Sequence, residues 1–247
     1  MARDERVAFI IAGVQKGGTT ALFDYLGDEP GLSLSQTKEV HFFDDESRDW
    51  DQPDYRAYHA HFASWDGCLR GEATPIYIYW PNSLERIRAY NPDVRLIVIL
   101  RDPVERAWSN WRMEYARGAE TRPFAWCIRQ GRRRLFDTVP WGFHRVFSYV
   151  ERGFYGEQFT RLYALFPRDQ VLVLRSDDLR HDAARVLART RGFLGLVNDA
   201  VPRPREVHVG RDMDYGSELT ADDIAYLRKL YAHDAERLAD LTGVRFC

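Results

Sequence analysis

Apolar residues gather along this chain in short unbroken runs: VAFIIAGV (7–14), RLIVILR (95–101) and QVLVLRS (170–176), each bounded by turn residues. Runs of that length without alternation fit strands covered on both faces, as in a parallel sheet. CLRGEAT (68–74) is a weaker fourth candidate. Between the runs the apolar spacing turns helical. TTALFDYLG follows the first run and stops at Gly27, and PNSLERIRAY stops at Asn91-Pro92. DPVERAWSNWRMEYARG carries Asp102 as N-cap, Pro103 at the first helical position and Gly118 at its end. YGEQFTRLYALF and TADDIAYLRKLYAHDAERLADLTG follow, the second opened by Thr220 and closed by Gly243. Strands alternating with helices predict an α/β fold. The expectation is a single P-loop-like domain over residues 1–247, its mostly parallel central sheet flanked by helices.

Composition changes this picture little. With 247 residues, 45% of them hydrophobic, the chain can bury a core without metals or disulfides. A formal net charge of −2 advertises neither nucleic acid nor an anionic membrane as partner. No apolar run approaches the roughly 18 residues of a membrane span. The charged start before VAFIIAGV lacks a cleavage site, and Gln15-Lys16 interrupts the run, so a signal peptide is not expected. The reading is a cytoplasmic protein without stable membrane insertion. Cys68, Cys127 and Cys247 show no metal-ligand spacing and read as reduced thiols. Of 35 basic residues 32 are Arg, a bias that a GC-rich bacterial genome explains, so a Lys in a loop stands out.

One such Lys opens QKGGTT (15–20). In the nucleotide-triphosphatase signature the Lys follows the last Gly, whereas Lys16 precedes Gly17 and Gly18. Glycines let the backbone N–H groups approach an anion, and the helix start near Thr19 adds its dipole. Thr19 and Thr20 add hydroxyl donors and Lys16 a mobile charge. A second anion site is spelled LIVILRDPVERAWSN. Arg101 stands at the end of a buried strand, the edge where ligands of open α/β sheets gather, and Ser109 lies two turns into the next helix. Two anion sites without an acidic strand end suit a nucleoside with phosphates at both ends better than a magnesium triphosphate. Arg132 to Arg134 read as a solvated helix end in preference to a polyanion patch.

These two stretches resemble the cofactor loops of sulfotransferases that use 3′-phosphoadenosine 5′-phosphosulfate (PAPS). The resemblance continues through KEVHFFDD (38–45), GEATPIYIY (71–79), GFYGEQFTRLYALFPRDQVLVLRSDDL (153–179) and FLGL (193–196), in order, and is nearest to the heparan-sulfate-type branch and its bacterial relatives. It implies a 5′-phosphosulfate on Lys16, Gly17, Gly18, Thr19 and Thr20, and a 3′-phosphate on Arg101 and Ser109. It also places Tyr155 near the nucleotide, and Arg205, His208 and Arg211 in a lid over it. Lys16 would stabilise the leaving phosphate, and the product would be 3′-phosphoadenosine 5′-phosphate (PAP), with no metal. The family's base falls on Glu39. His41 lies two residues on, on the same side if the segment is extended, and would be its partner or the base itself.

One position departs from the pattern. The animal enzymes of this branch carry Lys within an E-K-[ST] element, where this chain has Ala73, which argues against a heavily anionic glycan acceptor. The expected acceptor is a hydroxyl, or an amine, of a sugar, lipid or secondary metabolite. Aromatic residues at Trp50, Tyr55, Tyr58, Trp65, Trp141 and Phe143 are candidates to line its pocket or to form loop core. The competing readings are a small-molecule P-loop kinase using ATP and magnesium, and a non-catalytic nucleotide-binding module. Neither the acceptor's identity nor the oligomeric state follows from the sequence.

Overall fold

The structure is a computed structural model and describes residues 5–64, 67–137, 142–197 and 213–246. In chain order its elements are β1 (Phe9–Gly13), α1 (Thr19–Leu26), β2 (Leu32–Leu34), α2 (Tyr55–His59), β3 (Leu69–Ala73), α3 (Ser83–Tyr90) and β4 (Arg95–Leu100). They continue as α4 (Pro103–Ala116), α5 (Phe124–Cys127), α6 (Tyr155–Leu165), β5 (Val171–Arg175), α7 (Ser176–His181), α8 (Ala183–Leu194) and α9 (Ala221–Thr242). The chain forms two compact units, Met1–Leu100 with Leu162–Val207, and Arg101–Arg161 with His208–Cys247.

The first unit holds a sheet of five strands in the order β2-β3-β1-β4-β5, every neighbouring pair parallel. The four strands expected from the sequence are present within two residues of the expected bounds. The edge strand β2 is new: its three residues are all half-buried, and so short a segment gives no apolar run. On one sheet face Phe9, Ile11, Ile97 and Ile99 pack with Leu22, Leu26, Val186 and Leu187. Each fully buried aliphatic side chain of this kind contributes roughly 1.5–3 kcal/mol. Arg191 and Glu29, both buried, close a bidentate pair at 2.5 and 2.9 Å. The connection after β1 runs towards β2 and β3, and the chain after β4 returns as β5 on the other side. The carboxyl ends of β1 and β4 therefore flank the switch point where such sheets bind ligands.

In the second unit the Asp102 side chain accepts from the N–H groups of Val104 and Glu105 at 3.0 and 3.1 Å, capping α4 as expected. Thr220 and Asp223 form a reciprocal capping box at the start of α9. Asp234 of that helix accepts from the N–H groups of Gly156 and Glu157 at 2.7 and 2.8 Å, satisfying the first turn of α6. Trp111, Phe124, Tyr149, Leu227 and Tyr231 form this unit's core. The arginine run is not a helix end left to water. It lies in a 3-10 turn in which Arg132 binds Glu151 at 2.7 Å and Arg134 binds Glu120 at 2.8 Å, while Arg133 is exposed. Cys127 is buried, Cys68 half-buried, both as free thiols, and Cys247 lies outside the described residues.

Gly71 sits directly opposite Phe9 in the β1–β3 ladder, and a Cβ there would overlap the Phe9 ring. Forcing that ring away in a filled core costs typically 1–3 kcal/mol. Gly71→Ala should therefore lower stability by about 2 kcal/mol in urea unfolding, with the slope m unchanged.

Candidate functional site

The loop after β1 is laid against the sheet's carboxyl edge. Val14 donates to the Ile99 carbonyl at 3.1 Å, and Gly17 donates back to Val14 at 2.9 Å. A Cβ on Gly17 would overlap the Ile99 carbonyl oxygen, so glycine is needed there for the close backbone approach. Gly18, with φ of 100°, occupies the left-handed region as the N-cap of α1. No side chain caps that helix start, a geometry in which first-turn N–H groups can meet an anion. Lys16 is also left-handed, with φ of 70°. Thr19 is buried and Thr20 half-buried, so Thr20 is the more accessible of the two hydroxyls. Ser176, at the start of α7, escaped the sequence reading. Its hydroxyl would lie 3.5 Å from a Cβ built on Gly18, close beside the loop.

The KEVHFF segment is not extended. Glu39 and His41 both have left-handed φ, 62° and 55°. The alternation argument for their shared side therefore fails locally, yet the two still meet, because the double turn brings His41 Nε2 to 3.7 Å from Glu39 Oε2. His41 Nδ1 lies 2.9 Å from Oδ2 of fully buried Asp44, and the Lys38 ammonium lies 2.6 Å from Glu39 Oε1. The result is a carboxylate–imidazole–carboxylate array with an ammonium at one end. Asp44 was not singled out from the sequence, although its i+3 spacing from His41 in a turn was the available signal.

Electrostatics follow from this geometry. The hydrogen bonds to Asp44 and then Glu39 outweigh burial and raise the His41 pKa from 6.5 to about 9. Burial pushes Glu39 upward, but the hydrogen bond from His41 and the charge of Lys38 prevail and bring it to about 2. At neutral pH Glu39 is ionised and His41 is an imidazolium. The raised His41 pKa contributes stability fully present below pH 6.5 and lost as pH rises through about 9. The depressed Glu39 pKa contributes stability present above pH 4.5 and lost as pH falls through about 2.

A third carboxyl group is buried near this segment. Glu72 of β3 is fully buried and accepts from the Tyr58 hydroxyl at 3.0 Å and the Thr74 hydroxyl at 2.6 Å. Tyr77, also fully buried, lies near enough to feel its charge. Desolvation dominates and raises the Glu72 pKa to about 7. Tyr58, a candidate acceptor aromatic, is thus core, packed on Phe42, Phe43 and Tyr90. Trp50 stacks on Phe43 and donates to the Asp45 carbonyl at 2.9 Å. Tyr55 packs on Phe42 and Tyr90, Phe143 is half-buried, and Trp65 and Trp141 lie outside the described residues.

In the second unit Arg101 directs its guanidinium to Glu105 at 3.0 and 3.1 Å. Arg101 precedes α4, while Glu105 and Ser109, four positions apart within it, share one face of the helix. Tyr155 is buried and donates its hydroxyl to the Arg101 carbonyl at 3.0 Å. In this state it holds the Arg101 backbone. Arg205, His208 and Arg211 lie outside the described residues.

Comparison with known proteins adds the family. The model of the sulfotransferase domain matches residues 7–206. Heparan sulfate glucosamine 3-O-sulfotransferase 3A1 of Mus musculus is 32% identical over 196 residues, covering 76% of this chain and 45% of that protein. Heparan sulfate glucosamine 3-O-sulfotransferase 3B1 of Homo sapiens is 32% identical over 190 residues, with the same coverage. The chain thus spans about half the length of these curated relatives. The crystal structure of a sulfotransferase from Alicyclobacillus acidocaldarius superposes with a TM-score of 0.83 at 26% identity, over 99% of this chain and 98% of that one.

The array makes its own prediction. Asp44→Asn should bring the His41 pKa from about 9 down towards 6.5, and Glu39→Gln should do so to a smaller extent. A histidine NMR titration, with the His41 signal assigned by His41→Gln, reads both.

Proposed function

The chain belongs to the sulfotransferase family, and we propose that it is an enzyme that moves the sulfuryl group of PAPS to a hydroxyl of a sugar. The observation that carries the reading is the loop after β1. Its glycines permit close backbone approach, its helix start has no side-chain cap, and a lysine stands on its early side. Those donors fit a phosphosulfate held end-on. When bound, PAPS supplies an activated sulfuryl group whose departure leaves charge on the 5′-phosphate. Lys16 and the N–H groups of the α1 start would meet that charge, acting in place of solvent. Arg101, just before α4, and Ser109 within it would take the 3′-phosphate, with Arg101 exchanging Glu105 for it. Tyr155 would fix the Arg101 main chain.

Glu39 is the proposed base. His41, raised to about 9, has no free lone pair at neutral pH, which favours the carboxylate. A group with a pKa of about 2 is a weak base towards an ordinary alcohol. The hydroxyl becomes strongly acidic once its oxygen begins to bond to sulfur. A carboxylate held ionised and aimed by Lys38 and His41 is then sufficient, provided the proton moves late. His41 and Asp44 act as its orienting pair.

A sugar hydroxyl is favoured because the two curated relatives are named for a glucosamine hydroxyl of heparan sulfate. The Ala73 departure points to an acceptor with fewer anionic groups than that polymer.

Calorimetry with PAP, against ATP plus magnesium on the same preparation, tests the donor site. Micromolar or tighter binding of PAP with much weaker ATP is expected, and a preference for ATP would favour the kinase reading. In assays with PAPS and a panel of glucosamine oligosaccharides, Lys16→Ala should lower kcat by about 10²–10³. Glu39→Ala should abolish transfer while leaving PAP affinity within about twofold. Normal turnover in that variant would remove Glu39 as base.

A further inference from the structure

The turn that carries Glu39, His41 and Asp44 has no strand ladder to hold it, and Glu39 and His41 both adopt left-handed backbone conformations. Its backbone is anchored from several elements, with Ser83 and Arg86 donating to the Phe43 carbonyl at 3.2 and 2.9 Å. Glu39 N–H donates to the Ala73 carbonyl at 2.9 Å. The N–H groups of Phe42 and Phe43, which lie between His41 and Asp44, both point to one atom, the Tyr77 hydroxyl, at 3.1 and 3.4 Å. Tyr77 is fully buried. A phenol oxygen that accepts from two amides must send its own proton elsewhere. Glu72, also fully buried, lies close enough for its charge to act on that hydroxyl.

We propose that Glu72 and Tyr77 are positioning residues of the active segment: the buried carboxylate fixes the Tyr77 hydroxyl proton, so that the hydroxyl lone pairs hold the Phe42–Phe43 backbone and set the His41–Asp44 contact. The inference needs only the Glu39–His41–Asp44 array described above, and it deepens the proposed sulfotransferase mechanism by naming what holds that array. Tyr58 separates this role from simple packing. It is equally buried, contacts the same aromatic cluster and donates to the same Glu72, but it touches no backbone of the active segment. Removing its hydroxyl leaves Glu72 with Thr74 as a donor.

The test reads the array itself and requires no acceptor. The groups facing the His41 ring are Asp44 and Glu39, the latter also bound by Lys38. In histidine NMR titrations His41 of the native protein should titrate near 9. Tyr77→Phe and Glu72→Gln should each lower that midpoint by about one unit or more as the Asp44 contact loosens, whereas Tyr58→Phe should leave it in place. Amide exchange in the native protein supplies a second reading without any substitution. Phe42 and Phe43 should be protected well beyond the free-peptide rate, and Tyr77→Phe should lose that protection before the fold does. An unmoved His41 midpoint in Tyr77→Phe, an equal shift in Tyr58→Phe, or unprotected Phe42 and Phe43 amides in the native protein would each overturn the proposal. Each of these results is independent of PAP binding, so a failed donor site and a failed positioning role remain distinguishable.

Discussion

The close approach of Gly17 to the Ile99 carbonyl is the constraint on which the anion loop depends. Two parallel strands end side by side, and the chain leaving one of them must turn at once against the other's last carbonyls. Val14 donates to Ile99, Gly17 donates back to Val14, and no side chain fits in the space that remains. This compact turn leaves Lys16 in a left-handed conformation and starts α1 without a side-chain cap. The polar groups of a helix start normally find a capping oxygen in the protein. Here no side chain of the protein fills that role, and the apolar core of Ile99, Leu22 and Leu26 packs beneath the turn.

The active segment follows a different logic. It has no ladder, and ionic and hydroxyl contacts take the place of one. Glu39 and Asp44 meet Lys38 and His41, with Glu72 buried nearby. Where carboxylate and cation touch, their pairing opposes burial: Glu39 falls to about 2 and His41 rises to about 9. Glu72 touches only hydroxyls, and burial wins there, with the negative charge of Asp44 adding to the upward shift. A hydroxyl donor lowers a buried carboxyl's pKa less than a full positive charge does. The segment thus contains one carboxylate kept ionised at the surface and one held near neutrality beneath it, from the same residue type.

Much of this was legible in the sequence where a residue's role is local. The N-caps Asp102 and Thr220, the unbroken apolar strands and the glycine-rich turn all act through their own neighbours, so spacing reveals them. The strand β2 was not legible, because three half-buried residues carry no period. Glu39 and His41 were legible as a pair only through a premise that proved wrong, since the segment turns where extension was expected. Asp44, Ser176, Glu72 and Tyr77 were missed because their meaning is tertiary. Glu72 and Tyr58 are 14 positions apart, and Phe42 and Tyr77 are 35 apart, separations at which no sequence period operates.

The arginine bias of the chain gives the remaining step. Only three of its 35 basic residues are lysines, and two of them, Lys16 and Lys38, lie in the segments assigned to chemistry. The two side chains are not equivalent there. A guanidinium presents a planar fork suited to two oxygens at once, as Arg191 does with Glu29 and as a terminal phosphate requires of Arg101. An ammonium is a compact charge that can serve a single oxygen. Lys38 does this at 2.6 Å from one Glu39 oxygen, leaving the other to His41. A leaving oxygen that gains charge as its bond to sulfur breaks is likewise one atom, and a fork there would bind the flanking oxygens before and after transfer alike. Binding that is equal in both states gives no acceleration. Lysine at position 16, in a chain whose basic residues are mostly arginine, suits the proposed role of meeting a single leaving oxygen.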